Sequence, residues 1–279
     1  MSNAWPVVLS VAGFDPSAGA GIVADLKTFA AHNCYGVAAI TALTVQNSQG
    51  VASVHPVDPT LLRESILSLL CDGRVKALKI GMLGNQANAE VVQEILESNP
   101  DLPAVLDPVV RSSNNFDLLD AAGLDFVRRQ LLSRVAVVTT NLEEAAALAD
   151  MTVDNLESMK AAARKLVGLG ARAVVVTGGH LDKAIDVLFD GINLEAFAGE
   201  RIKPHNTHGT GCTFSSAVAA NLALGRQLRD AVVLAKAYVV EAIRQAFPVG
   251  PGRIPLNHFY RMTPSARVTD HSPAAETPH

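Results

Sequence analysis

This sequence predicts an α/β fold: a central, mostly parallel sheet with helices on both faces. Two observations carry the prediction. Short apolar runs alternate with amphipathic helical stretches almost from end to end, the pattern of successive right-handed βαβ units. The runs are also continuous and β-branched, as at 135–138 and 174–176, and strands buried on both faces read that way.

In chain order, the run at 7–12 (Val-Val-Leu-Ser-Val-Ala) is a strand and leads to a helix at 22–31, with Asp25 and Lys27 on its polar side. A strand at 37–41 follows, then a helix at 60–70, a strand at 77–80 and a helix at 87–97. The short apolar run 104–106 is the next strand, 121–132 the next helix, and the Val-rich run 136–139 another strand. Helices at 143–149 and 158–168 precede a strand at 173–176, and a further strand is expected at 185–189. Two long helices, 212–224 and 229–247, close the fold. No linker rich in Pro, Gly and Ser interrupts this order, so residues 5–261 are expected to form one domain. Residues 262–279 carry Thr, Ser, Pro, Asp and His with little apolar content and read as a disordered tail. Ser2-Asn3-Ala4 has the look of an expression-vector remnant.

Composition excludes several classes. Of 279 residues, 49% are hydrophobic and 18% charged, ample for a core. Lys+Arg number 23 against 27 Asp+Glu, a net charge of -4, whereas nucleic acid or an anionic membrane calls for a basic excess. No apolar run approaches the ~18 residues of a membrane span. The N-terminus lacks the basic region of a signal peptide. Cys34, Cys71 and Cys212 are scattered and odd in number, so no disulfide framework or zinc pattern follows and a cytoplasmic location is expected.

Residues that a core does not need gather at and just after the strand ends: Gly13-Phe14-Asp15, Lys79-Ile80-Gly81-Met82, Asp107-Pro108, Asn141, and Thr177-Gly178-Gly179-His180. In an open parallel sheet these are carboxyl ends on one edge, where ligands bind, although each alone is an ordinary turn residue. Asn206-Thr207-His208-Gly209-Thr210-Gly211-Cys212 runs into a small-residue helix. Its glycines leave helix-start N–H groups facing outward, a phosphate cradle without the lysine of a P-loop, or simply a glycine turn. Cys212 at that helix start has three open readings: a base whose pKa the helix lowers, a nucleophile, or a small buried residue. Asn141 and Glu144, three apart at a helix start, form either a hydrated Mg²⁺ site or an N-cap with helix-start acids. Gly19-Ala20-Gly21-Ile22-Val23-Ala24 fits G-x-G-x-x-A, but it lies well after the strand end and lacks the acidic residue ~20 positions on.

Taken together, these stretches resemble the ribokinase-like superfamily and, within it, the hydroxymethylpyrimidine/phosphomethylpyrimidine kinases of thiamin biosynthesis. The resemblance runs from Val7 to Phe259. It rests on the order and spacing of residues 12–21, 24–28 (Ala-Asp-Leu-Lys-Thr), 41–47 (Thr-Ala-Leu-Thr-Val-Gln-Asn), 79–83, 106–109, 141–145, 178–180 and 206–213. It implies a three-layer α/β/α fold and transfer of the γ-phosphoryl group of ATP, with Mg²⁺, to the hydroxyl of a pyrimidine alcohol. Cys212 would be the general base, where many relatives carry Asp, and Gly209, Thr210, Gly211 and Cys212 the anion hole. Asp107 and Glu144 would face the metal. Asn141, Thr177, Gly179, His180 and Thr207 would join Asp107 around ATP. Gly13, Asp25, Gln46, Met82 and Val109 would line the pyrimidine pocket. It also implies a homodimer.

Three departures stand out. Thr177 replaces a common Lys before Gly-Gly-His, with Lys183 a stand-in. Val109-Val110-Arg111-Ser112 replaces the usual Val-Met and Ser-Gly loop, which bears on whether the monophosphate is also a substrate. Gly252-Arg253-Ile254-Pro255-Leu256 replaces a Gly-His turn. Competing readings are a pyridoxal or pyridoxine kinase, an NAD-dependent oxidoreductase using residues 19–24, and a non-catalytic pyrimidine-binding protein.

Overall fold

The apolar run at the N-terminus becomes β1 (Val7–Phe14), which feeds α1 (Gly21–Ala31) and returns in parallel as β2 (Tyr35–Asn47). The structure, a computed structural model, describes residues 4–112, 114–179, 184–199, 202 and 207–261. The expected tail, together with His180 and Lys183, lies outside them. After β3 (Gly50–Pro56) and α2 (Pro59–Cys71) the chain crosses β1 and continues on its other side. There follow β4 (Val75–Ile80), α3 (Gln86–Ser98), β5 (Ala104–Leu106), α4 (Ala121–Phe126), β6 (Val137–Thr140), α5 (Leu142–Ala149), α6 (Leu156–Gly168) and β7 (Val174–Gly178). Then come β8 (Ala184–Phe189), β9 (Leu194–Gly199), the two-residue β10 (Thr207–His208), α7 (Thr210–Ala223), α8 (Leu228–Arg244) and the two-residue β11 (Ile254–Pro255).

Among the described residues the main sheet has nine strands in the order β3-β2-β1-β4-β5-β6-β7-β8-β9. From β2 to β7 every pairing is parallel, while β3, β8 and β9 pair antiparallel at the edges. The strand order reverses between β1 and β4, and an open α/β sheet has its ligand crevice at the carboxyl ends beside such a reversal.

Strand side chains alternate between two cores. Leu9, Val11, Leu78, Ile80, Leu106 and Val138 pack with Leu62, Val91, Leu148 and Leu166 from α2, α3, α5 and α6. Val8, Ala77, Val105, Val137 and Val175 pack with Phe29, Phe214, Val218 and Tyr238 from α1, α7 and α8. The three-layer expectation therefore holds.

Several elements differ from the sequence reading, among them β9, β10 and β11, for which no strand was expected. The strand expected at 37–41 is the middle of β2, whose outer half pairs with the unexpected β3 as a ribbon. Leu43 and Val45 on that ribbon are exposed, so no buried apolar run marks it. The helix expected at 121–132 is α4 followed by a π turn at Val127–Leu131 and a 3-10 turn at Leu132–Arg134. The wider turn brings Val127, Leu131 and Leu132, all fully buried, toward one face.

An ion pair sits inside the second core. Lys79 of β4 is 0% exposed, and its Nζ lies 3.1 Å from Asp25 and 3.8 Å from Asp107. Asp25 also accepts the hydroxyls of Ser10 from β1 and Ser216 from α7, each at 2.6 Å. Asp25 was expected on the polar side of α1. Instead it is fully buried, because Ile22, Asp25 and Phe29 fall at helical spacing on the buried face. Burial works against the charge on Lys79, but the neighbouring carboxylates of Asp25 and Asp107 more than offset that and hold its pKa above the ordinary value.

Removing one partner leaves buried charge without compensation. Lys79→Met is expected to lower stability by about 3–5 kcal/mol, read as a shift of the urea midpoint at constant slope. Asp25→Asn added to it should recover part of that loss. A Lys79→Met protein as stable as the wild type would remove the pair from any structural role.

Candidate active site

The carboxyl ends of β1, β4, β5, β6 and β7 and the start of α7 enclose one continuous cavity of about 1070 Å³. That exceeds what a single small ligand fills and leaves room for two. Gly13 borders it from β1, Gln46 from β2, Met82 from the end of β4 and Val109 from the end of β5. Asp107, Asn141, Glu144, Thr177, Gly179 and Thr207 border the rest. Gly209, Thr210, Gly211 and Cys212 open onto it from the start of α7. Among the candidate residues that are described, Asp25 alone lies behind the wall. Its oxygens are taken by Ser10, Ser216 and Lys79. His180 lies outside the described residues.

The α7 start is shaped by backbone contact. Gly209, the N-cap, has φ +80, and a Cβ there would run into the Gly19 carbonyl. Gly21, at φ +58, leaves no room for a Cβ beside the Gly13 carbonyl. These glycines let the loop after β1 and the loop before α7 touch through bare backbone, which accounts for the dinucleotide-like spacing without a dinucleotide. Gly209 offers no side-chain cap to α7. The first-turn N–H groups and the positive end of the helix dipole are thus directed at the cavity, where an anion would be held. Thr207 and Thr210 are joined through their hydroxyls at 3.1 Å.

Asn141 and Glu144 form a reciprocal capping box. The Asn141 side chain accepts from the Glu144 N–H at 2.8 Å, and Glu144 accepts from the Asn141 N–H at 3.0 Å. The N-cap reading and the metal reading are compatible, because the boxed Glu144 still borders the cavity. Burial raises the Glu144 pKa well above its ordinary value, and the Asp107 carboxylate adds to that. Asp107 is raised by burial too, against the pull of Lys79. Two buried carboxylates that repel each other are stabilised by a cation between them and phosphate oxygens. Among the described residues no cluster of three or more His, Cys, Asp or Glu could hold a metal alone. The pair suits Mg²⁺, which keeps waters and phosphate oxygens as its remaining ligands.

The helix-start effect expected on Cys212 is overridden. Burial pushes its thiol far above the ordinary range. Lys79 acts against that, while Asp107 and Asp25 act with it. The resting group is therefore the thiol.

Sequence reasoning assigned no role to three residues around this cavity, although Asp15 was already placed at the ligand edge. Lys79 was seen only as part of a strand end. Asp15 accepts from Ser17, Ala20 and His208. His208 links Asp15 to Gln46. Its place immediately before the Gly209 cap was the available signal. Thr177, at the position where relatives often carry Lys, donates to the Thr140 carbonyl at 3.1 Å. Farther along, Lys236 of α8 meets the buried Asp186 at 2.7 Å on the same cavity wall.

Among the described residues no helix is long and apolar enough to cross a membrane. The family model for phosphomethylpyrimidine kinase matches residues 15–257. A hydroxymethylpyrimidine/phosphomethylpyrimidine kinase of Aquifex aeolicus is 41% identical over 248 residues, covering 88% of this chain and 97% of that one. An ADP complex of Bacillus subtilis pyridoxal kinase superposes with a TM-score of 0.83 at 36% identity, covering 92% of this chain and 98% of that one. A phosphomethylpyrimidine kinase from Clostridium difficile 630 gives a TM-score of 0.76 at 33% identity, covering 85% and 99%. Matched across most of its length in sequence and in fold, with a large cavity at the expected sheet edge, the chain belongs to the phosphomethylpyrimidine kinase family.

Proposed function

We propose that this protein transfers the γ-phosphoryl group of ATP to the hydroxymethyl group of 4-amino-5-hydroxymethyl-2-methylpyrimidine, and then to the resulting monophosphate. The observation that carries the reading is the uncapped start of α7, opening between the Gln46 side and the Asn141–Thr177 side of one cavity. Phosphoryl transfer asks for positioning and charge stabilisation more than for covalent chemistry.

On this reading the pyrimidine lies against Gly13, Gln46, Met82 and Val109, with its hydroxyl toward Cys212. The phosphates of ATP lie along Asn141, Thr177, Gly179 and Thr207. The N–H groups of Thr210, Gly211 and Cys212 meet the transferring phosphoryl and take up its negative charge. Asp107 and Glu144 would hold Mg²⁺, which supplies charge neutralisation at the phosphate oxygens. Cys212 accepts the hydroxyl proton as the new P–O bond forms. Because its thiol rests protonated, only a small fraction is competent at neutral pH. Asp25 acts behind the wall, holding Lys79 beside Asp107 and Cys212. The homodimer and the cytoplasmic location implied by the resemblance belong to this proposal, and sedimentation velocity tests the first.

The pyridoxal kinase neighbour favours one competing substrate. A coupled Mg-ATP assay on the hydroxymethylpyrimidine, its monophosphate and pyridoxal separates them. Turnover of both pyrimidines above pyridoxal is expected, and a clear pyridoxal preference sinks the assignment.

Cys212→Ala should lower kcat about 10²–10⁴-fold with little effect on the unfolding midpoint. A raised thiol pKa means that the thiolate fraction grows with pH below that pKa. Wild-type kcat should therefore rise through pH 7–9 without a plateau, and Cys212→Asp should flatten the profile. An unchanged rate in Cys212→Ala would make Cys212 a packing residue.

A further inference from the structure

At the opposite edge of the sheet from the candidate active site, where α1 and α7 end, lies a second cavity of about 210 Å³. The start of α7 faces the first cavity and its end faces this one, which puts about 20 Å between them. His32, Asn33, Asn221, Arg226, Leu234 and Arg261 line it, and no acidic residue does so among the described residues. Nor does either arginine pair with a carboxylate there. Arg261 lies over the Tyr238 ring at 4.9 Å and donates to the Tyr260 hydroxyl at 3.2 Å. Both guanidiniums are carried on exposed side chains, able to turn onto an anion.

Two acceptors complete the lining. The Thr28 carbonyl only accepts, so His32 Nδ1, 2.8 Å away, carries a proton and donates it. Burial, with Arg261 and Arg226 adding to it, holds the His32 pKa down at about 4, so at neutral pH the ring takes no second proton. Nε2 is therefore an acceptor. It is buried, it has no hydrogen-bond partner among the described residues, and it sits on the ring edge turned away from α1. Asn221, 2% exposed, donates through Nδ2 to the Ala217 carbonyl at 2.7 Å, which makes Oδ1 its acceptor end. A buried acceptor with no donor is costly to leave unmet.

We propose that this cavity is a second ligand site, for a small oxyanion that still carries a proton, with inorganic phosphate as its simplest representative. The charged oxygens meet Arg226 and Arg261, and the remaining O–H donates to His32 Nε2, with Asn221 Oδ1 beside it. The cavity is smaller than the roughly 300–1,000 Å³ of ordinary ligand pockets, which excludes a nucleotide. An ammonium group is also a donor, but two guanidiniums without carboxylates repel it. The C-terminal ends of α1 and α7 bring about half a negative charge each, and the two full positive charges exceed that. Nothing in this site depends on the kinase reading of the larger cavity.

The test titrates inorganic phosphate and, separately, sulfate into the full chain by calorimetry at neutral pH, with saturating Mg-ADP present. Wild type, Arg226→Gln, Arg261→Gln and His32→Phe are compared. The start of α7 also attracts anions, so the signal belonging to this site is the part that the arginine variants remove. Wild type is expected to bind phosphate about tenfold more tightly than sulfate, which has the charge but no proton to give. Each arginine variant should weaken phosphate about tenfold or more. His32→Phe keeps a ring against Tyr238 and should lose most of the preference for phosphate while holding sulfate as before. Should that variant fail to fold, the wild-type ratio and the two exposed arginines decide. Equal affinity for the two anions in wild type, phosphate binding that neither arginine variant weakens, or an unchanged preference in His32→Phe would each overturn the proposal.

Discussion

A protonated amine sealed away from water is the constraint on which the rest of this structure depends. Lys79 is fully buried, and a cation in that position is tolerable only with carboxylates in contact. Its partner Asp25 comes from α1, and the hydroxyls that complete the Asp25 shell come from β1 and α7. Four elements are thus tied to one point just beneath the reversal in strand order. The Asp107 carboxylate at the end of β5 is 3.8 Å from the same ammonium, and Ser215 of α7 donates to it at 3.2 Å. The start of α7 cannot shift relative to the strand ends without breaking one of these contacts. On the proposed reading the backbone N–H groups there form an anion hole, which works only if it is held in place before its ligand arrives, and this network would hold it.

Much of that arrangement was legible in the sequence, and the failures have physical causes. Continuous β-branched runs gave away strands buried on both faces, and the glycine-rich approach to α7 gave away a backbone surface. Asp25 was misplaced because a carboxylate on an amphipathic helix is normally solvated, yet its spacing from Ile22 and Phe29 already put it on the buried face. Lys79 was passed over for the same reason, although a lysine embedded in an apolar strand run has few places to go except to a buried partner. The β2–β3 ribbon left no buried apolar run because the apolar residues of its alternation, Leu43 and Val45, are exposed. The Asp15–His208–Gln46 chain joins residues up to 193 positions apart, and nothing in a single sequence brings them together.

Cys212 shows two rules of opposite sign meeting at one atom. A helix N-terminus stabilises a thiolate, and a cavity floor lined by buried carboxylates destabilises it. Here the second wins. On the proposed reading, the favourable end of the α7 dipole is left for the phosphoryl group, whose charge exceeds that of a thiolate. In the resting site a neutral thiol also avoids competing with an incoming anion for the same donors. Burial, which at first looks like a handicap for the proposed base, would keep the helix start free for the group whose transfer it is proposed to stabilise.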